Sequence, residues 1–255
     1  MLKKIAKLYL PEKVVKILSF INQKYFDGYS IKSYSQEAED IILRRIFENK
    51  ENGFYVDVGA HHPKRFSNTY FFYKQGWYGI NIDAMPDSMK PFNKIRPRDI
   101  NIEKPISDTK QVLTYYAFNE PALNGFSKEI SEKRESNIKN NHHVIFTKDI
   151  ETTTLDYIFE MNLPNNQEID FLSIDVEGLD FNVLKSNNFD KYHPKVIVIE
   201  IIGNSLSEIE NSQISKYLKN YNYILYSKSI NSVFFIDNNY LKERFPIQYE
   251  TEKDA

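Results

Sequence analysis

The stretch GFYVDVGAHHP, Gly53 to Pro63, runs a short apolar segment into Asp57, Gly59, His61 and His62. An acid and a glycine at a strand end can hold a ligand against backbone groups, and an imidazole can move a proton near neutrality. The same passage from apolar run to polar residue recurs along the chain. GWYGINID ends on Asp83, INIEKPISD on Ser107 and Asp108, FLSIDVEG gives Asp175 and Glu177, and VIVIEII contains Glu200. In open α/β sheets ligands sit beyond the carboxyl ends of the strands, near the point where strand order reverses. These polar groups are therefore expected to converge on one rim.

Asp83 follows Asp57 at close to the spacing, roughly 20 residues, at which an acid meets a ribose in dinucleotide-binding folds. A pyrophosphate needs G-x-G-x-x-G for close backbone approach, and DVGAHHPKRF contains a single glycine. A cofactor with a ribose and adenine but no phosphates fits better, and S-adenosylmethionine is one. A nicotinamide-dependent oxidoreductase on a similar sheet is the alternative enzyme class.

The elements that must position these residues alternate along the chain. SQEAEDIILRRIFE is expected to form a helix capped by Ser35, with Glu37, Glu39 and Asp40 in its first turn. A strand follows at Phe54 to Val58, then a helix from a Ser67 cap to Gly76, a strand over WYGINID and a helix over PDSMKPFNKI interrupted at Pro91. A third strand is expected from Ile100 to Ile106, and QVLTYYAF reads as an added strand. The polar stretch Asn119 to Asn141 reads as an insertion or lid, and His142 with His143 as loop. EIDFLSID and KVIVIEII are continuous apolar runs of the kind buried on both faces of a parallel sheet, with a short helix over GLDFNVLKS between them. YNYILYS and SVFFID should close the sheet as an antiparallel hairpin. The fold class is α/β, a doubly wound, mostly parallel sheet with helices on both faces.

The chain has 255 residues, 41% hydrophobic and 15% aromatic, which suits one large domain of residues 31–255 behind a helical extension of residues 1–30. With 33 basic against 35 acidic side chains there is no global footprint for nucleic acid. Cysteine is absent, which excludes disulfides, thiolate metal sites and a cysteine nucleophile. No apolar run is long enough to span a bilayer, no leader cleavage site is evident, and a cytoplasmic location is expected. The opening segment sets Lys3, Lys4, Lys7, Lys13, Lys16 and Lys24 against Glu12 alone, with apolar residues at helical spacing on either side of Pro11. Its apolar face is expected to pack on its own domain, with weak contact to a membrane surface as the alternative.

YSQEAED, FYVDVGAHHP, SNTYFFYKQGWYGINIDAMP, RPRDINIEKPIS, TTTLDYI, FLSIDVEGLDFNVLKS and VIVIEI stand in an order and spacing that resemble the FkbM family of S-adenosylmethionine-dependent methyltransferases. The resemblance runs from about Tyr34 to Asp237. It implies the class I methyltransferase fold, a Rossmann-like seven-stranded sheet whose last strand is antiparallel. It also implies cofactor contacts from Asp57 and Gly59 at the methionine end, Asp83 at the ribose, Ile106, Ser107 and Asp108 beside the adenine, and Asp175 and Gln36. The chain departs from the common pattern by carrying His61 and Pro63 where many members have Asn and Gly. That departure brings in His61 and His62 as candidate bases after Asp175. Asp175 and Glu200 resemble the paired acids that hold magnesium in metal-dependent O-methyltransferases, so Mg²⁺ or Mn²⁺ is an expected optional cofactor. The family context implies a sugar hydroxyl as acceptor, in a nucleotide-activated sugar or a surface-polysaccharide precursor. A non-catalytic glycan-assembly protein that keeps the fold is the remaining alternative.

Overall fold

A computed structural model describes residues 10–25, 29–136, 141–203 and 205–246. The strands are β1 (Phe54–Val58), β2 (Tyr78–Asp83), β3 (Ile100–Glu103), β4 (Val112–Phe118), β5 (Val144–Glu151), β6 (Phe171–Ile174), β7 (Val196–Glu200), β8 (Tyr223–Lys228) and β9 (Ser232–Asp237). The α-helices among the described residues are α1 (Glu12–Tyr25), α2 (Glu39–Ile46), α3 (Tyr70–Lys74), α4 (Met89–Ile95), α5 (Lys128–Ser136), α6 (Leu155–Asn162), α7 (Asp180–Lys185), α8 (Leu206–Glu210), α9 (Gln213–Lys219) and α10 (Asn238–Arg244). Contacts divide the chain into two units, Met1–Ser33 and Tyr34–Ala255.

Seven strands of the second unit form one sheet in the order β3-β2-β1-β6-β7-β9-β8. β1 pairs in parallel with both β2 and β6, β6 with β7, and β2 with β3, while β9 runs antiparallel between β7 and β8. Strand order reverses at β1/β6, which places a ligand crevice beyond Val58 and Ile174. The apolar runs are central strands because both their faces are covered. Val56, Val58, Ile82, Ile174 and Ile199 pack in one core with Leu155 and Phe159 of α6 and Leu218 of α9. Tyr55, Phe171, Val198 and Phe234 pack on the other face with Leu43 of α2, Phe72 of α3 and Trp77.

The hairpin and the parallel core match the expected architecture; several local expectations change. α2 starts at Glu39, not beside Ser35, because Ala38 sits in the left-handed region at φ 67°. Ser35 still serves the helix, its hydroxyl accepting from the Asp40 N–H at 3.1 Å. Glu37 leaves the helix altogether and accepts from the Asn231 N–H at 2.7 Å and the Ser229 hydroxyl at 2.8 Å in the β8–β9 turn. Pro91 does not interrupt α4, since it lies in the first turn, where its missing N–H would have no helical partner. β3 stops at Glu103, and Ile106 makes only a single bridge to Thr153.

Just after the expected insertion of residues 119–141 lies a strand, β5, that periodicity does not show. β4 pairs antiparallel with β5 in a two-stranded sheet of its own. Most of β5 is exposed, so it lacks the alternation that marks a half-buried strand. Between them lie a 3-10 turn at Pro121–Leu123 and helix α5. Helix α1 buries none of its own residues, and Val14, Ile17, Leu18, Ile21 and Tyr25 are all exposed. No helix among the described residues is long and apolar enough to cross a membrane.

Candidate active site

The carboxyl ends of β1, β2, β6 and β7 open onto one cleft, lined by Gly59, Asp83, Asp175 and Glu200, with Ile82 and Ile106 as apolar walls. The empty space within it, counted together with the open solvent at its mouth, is roughly 1090 Å³. Gly59 makes the convergence possible. Its N–H donates to the Ile82 carbonyl at 2.9 Å, and the neighbouring Asp175 N–H donates to the Val58 carbonyl at 3.0 Å. Gly59 has φ +83°, and a Cβ there would lie 1.7 Å from the Asp175 carbonyl oxygen. Gly59→Ala should therefore cost at least ~3 kcal/mol of stability, as left-handed strain plus a clash with immovable backbone. Urea denaturation measures it; an unchanged midpoint would mean that the strand ends can separate freely.

Asp83 ends β2 and accepts from the His61 N–H and the Met85 N–H, both at 2.8 Å. Each oxygen keeps a further lone pair for a ligand. Burial raises its pKa against the pull of those N–H groups. His61 is held at φ 51° by that hydrogen bond, and its Nε2 is buried with no partner. Burial, then Arg65 and His62, push its pKa down, so the ring is neutral at pH 7. Asn68 also lines the cleft; its amide nitrogen donates to Ser173 at 3.1 Å while its oxygen is buried without a partner.

The acids at the far side repel one another. Burial, then Glu200, holds Asp175 well above the usual carboxylate range. Asp175 is solvent-exposed by surface area and lines the cleft, at a depth where protein atoms surround it. Glu200 is pushed up to about 7 by burial, then by Glu177 and Asp180. Asp180 reaches about 6 through burial, although it accepts from the Val176 and Gly178 N–H groups at 3.0 and 3.1 Å. Glu177 is engaged by Arg134 of α5.

The model of the FkbM methyltransferase domain matches residues 57–225, well over half of the 255-residue chain. The chain belongs to the FkbM methyltransferase family. No curated protein matches it. The matched span of this FkbM-family methyltransferase begins on Asp57, inside β1, and takes in β2, β6 and β7 whole.

Within it, the expected site residues divide. Gly59, Asp83, Ile106 and Asp175 line the cleft, and so does Gln36 from outside the span. Asp57 does not: it points into the opposite core face, where the Thr69 hydroxyl donates to it at 2.8 Å. Ser107 is fully buried, donating to Asp108 at 3.2 Å, and Asp108 is drawn away to Lys185 at 3.0 Å. Neither lines the cleft. His62 also turns away, its Nδ1 accepting from the Lys64 and Arg65 N–H groups at 3.0 and 2.9 Å, which makes it a turn former and not a base. No group of three or more His, Asp or Glu side chains among the described residues is placed to hold a metal. The expected Mg²⁺ or Mn²⁺ pair, Asp175 and Glu200, therefore has no third carboxylate grouped with it among the described residues. Asp175 and Glu200 share the cleft, but Glu177 is committed to Arg134 and Asp180 to backbone N–H groups.

Sequence reasoning missed Glu39, Asn68 and Phe66 as lining residues. Glu39 reads as a helix-dipole acid, yet it is buried, with the Ser232 hydroxyl donating to it at 2.8 Å. Phe66 lies next to aromatics of helical spacing, but at φ 55° and 39% exposure it stands in the cleft wall. Only the SNT motif following Phe66 signalled that this segment approaches the site.

Proposed function

We propose that the protein is an S-adenosylmethionine-dependent O-methyltransferase acting on a sugar hydroxyl, in a nucleotide-activated sugar or a surface-polysaccharide precursor. The observation that carries the cofactor reading is charge. Asp83, Asp175 and Glu200 line one cleft with their ionised forms disfavoured, while Lys104 is the only Lys or Arg among its described lining residues. A ligand end bearing a sulfonium and an ammonium relieves that repulsion; a pyrophosphate would add to it. Asp83 would take the ribose hydroxyls, Ile82, Met85 and Ile106 the adenine, and Asp175 with Gln36 the methionine end. When bound, the cofactor supplies an electrophilic methyl on sulfur.

The residues of the chain supply orientation and proton removal. Asp175 holds the acceptor hydroxyl and takes its proton as the O–CH₃ bond forms and the S–CH₃ bond breaks. Its raised pKa suits it to keep that proton until product leaves. Phe66 offers a flat apolar face to a sugar ring, and Glu200 an acceptor for a second hydroxyl. Calorimetric titration with S-adenosylhomocysteine and with NAD tests the cofactor, and selective binding of NAD would sink the reading. Mass spectrometry for a gain of one methyl across a panel of nucleotide sugars tests the acceptor.

A pH dependence follows from Glu200. Its folded pKa of about 7 lies above the ordinary 4.5, so between those values the folded protein holds more protons than the unfolded chain. Its contribution to stability is complete below about 4.5 and is lost as pH rises through about 7. A cationic ligand favours the ionised form. Affinity for S-adenosylmethionine should therefore rise with pH and level off above about 7, with the ligand-induced gain in Tm larger at alkaline than at acid pH. Differential scanning fluorimetry across that range checks it; a gain that shrinks with rising pH would contradict the charge argument.

A further inference from the structure

Helix α1 is amphipathic and basic, and none of its residues is buried. Val14, Ile17, Leu18, Ile21 and Tyr25 fall at helical spacing and so share one face. Their exposures run from 38% at Val14 and Ile21 to 66% at Tyr25, and no residue of the helix is buried. Lys13, Lys16 and Lys24 fall along the adjoining flank, together with Phe20, 61% exposed. The Lys24 ammonium lies 5.7 Å from the Phe20 ring centroid and 5.2 Å from that of Tyr25, keeping charge at the edge of the apolar face. The single acid, Glu12, is taken by Lys16 at 2.8 Å. Lys3, Lys4 and Lys7 precede it in sequence. The whole chain is at −2, so this segment is opposite in sign to the remainder of the protein.

We infer that α1 is an interfacial anchor that lies on an anionic lipid surface, its apolar face at the headgroup–acyl boundary and its lysines among the headgroups. Charge complementarity selects this occupant: a flank of lysines beside exposed aliphatic and aromatic residues is the composition that such surfaces bind. At 14 residues the helix is too short to span a bilayer, so it rests in the plane of the surface. Pairing with a second copy fits less well, because a two-stranded seam wants a narrow apolar stripe over several heptads, and here Ile17 and Phe20 widen the face across four turns. This inference is independent of what the cleft binds.

The test is co-sedimentation of the full chain with phosphatidylcholine vesicles with and without phosphatidylglycerol. Binding should be at least ~10-fold tighter to the anionic vesicles, as expected from several lysines near the surface. It should weaken at ~1 M salt, where the Debye length falls to about 3 Å. Ile17→Asp with Ile21→Asp should abolish binding, and Lys13→Glu with Lys16→Glu should remove the lipid selectivity, all with the urea midpoint unchanged. Equal binding to neutral and anionic vesicles, or binding that survives the Asp substitutions, would overturn the anchor. So would a dimer in light scattering that the Asp substitutions dissociate, since a second copy would then cover the face.

Discussion

Replacing Arg96 with Met should lower the free energy of unfolding by about 3–5 kcal/mol, because it strips the cation from a buried network and leaves the acids behind. Arg96 and the Asp99 side chain are fully buried, with Arg96 Nε donating to Asp99 at 2.7 Å. Its Nη2 donates to the Tyr55 hydroxyl at 2.9 Å and the Thr69 hydroxyl at 3.0 Å, and its Nη1 to the Ser67 hydroxyl at 3.4 Å. Asp99 further accepts from the Gly79 N–H at 3.1 Å and Asn81 at 2.9 Å, and Thr69 donates to Asp57. One guanidinium therefore compensates two carboxylates beneath the rim of the cleft. Lys in its place keeps the charge but cannot present a planar fork to Asp99, Tyr55 and Thr69 together, so Arg96→Lys should lie between wild type and Arg96→Met. Urea denaturation monitored through the single tryptophan, Trp77, reads the effect. A loss below ~1 kcal/mol would mean that the buried network needs no counter-charge from Arg96.

The second large effect is on turnover. Asp175→Asn should lower kcat/KM for methyl transfer by about 10²–10⁴-fold, the usual contribution of a positioned general base. Asparagine matches aspartate in size, so the Asp175 N–H to Val58 carbonyl bond and the carbonyl packing against Gly59 both survive. What is lost is the capacity to take a proton. The urea midpoint should hold or rise, since a repelled acid is removed from beside Glu200. Undiminished turnover would move the base elsewhere, and a greater loss for Glu200→Gln would move it to Glu200. Absence of turnover in the wild-type protein across sugar nucleotides, together with no binding of S-adenosylhomocysteine, would return the chain to a structural role in glycan assembly.

The parallel core, the C-terminal hairpin and the rim of strand-ending polar groups were legible in the sequence. Strands buried on both faces are apolar at most positions, and a two-residue period or a polar break is a local signal. The same locality explains what was missed. β5 is exposed at most positions, so its pairing with β4 leaves no mark in its own composition. Glu37 resembles a first-turn acid, yet it bridges to Asn231 across a separation that no local pattern carries. Pro91 resembles a breaker because the start of α4 cannot be placed to within a turn from sequence alone.

By itself the sequence determined the family, the fold and the residues that end each strand, because these follow from periodicity, from Gly59 and from motifs spaced along the chain. Only the tertiary structure decided which of those residues face the ligand. Asp57 and Asp83 look equivalent as acids at strand ends, but successive side chains of a strand point to opposite faces. Asp57 is taken by Thr69 beside Arg96, while Asp83 is set in the cleft wall by the His61 and Met85 N–H groups. The adjacent histidines divide in the same way, His61 into the cleft and His62 into its own turn. The burial that, ahead of charge repulsion, raises the pKa of Asp175 and Glu200 exists only once β6 and β7 lie side by side in the sheet.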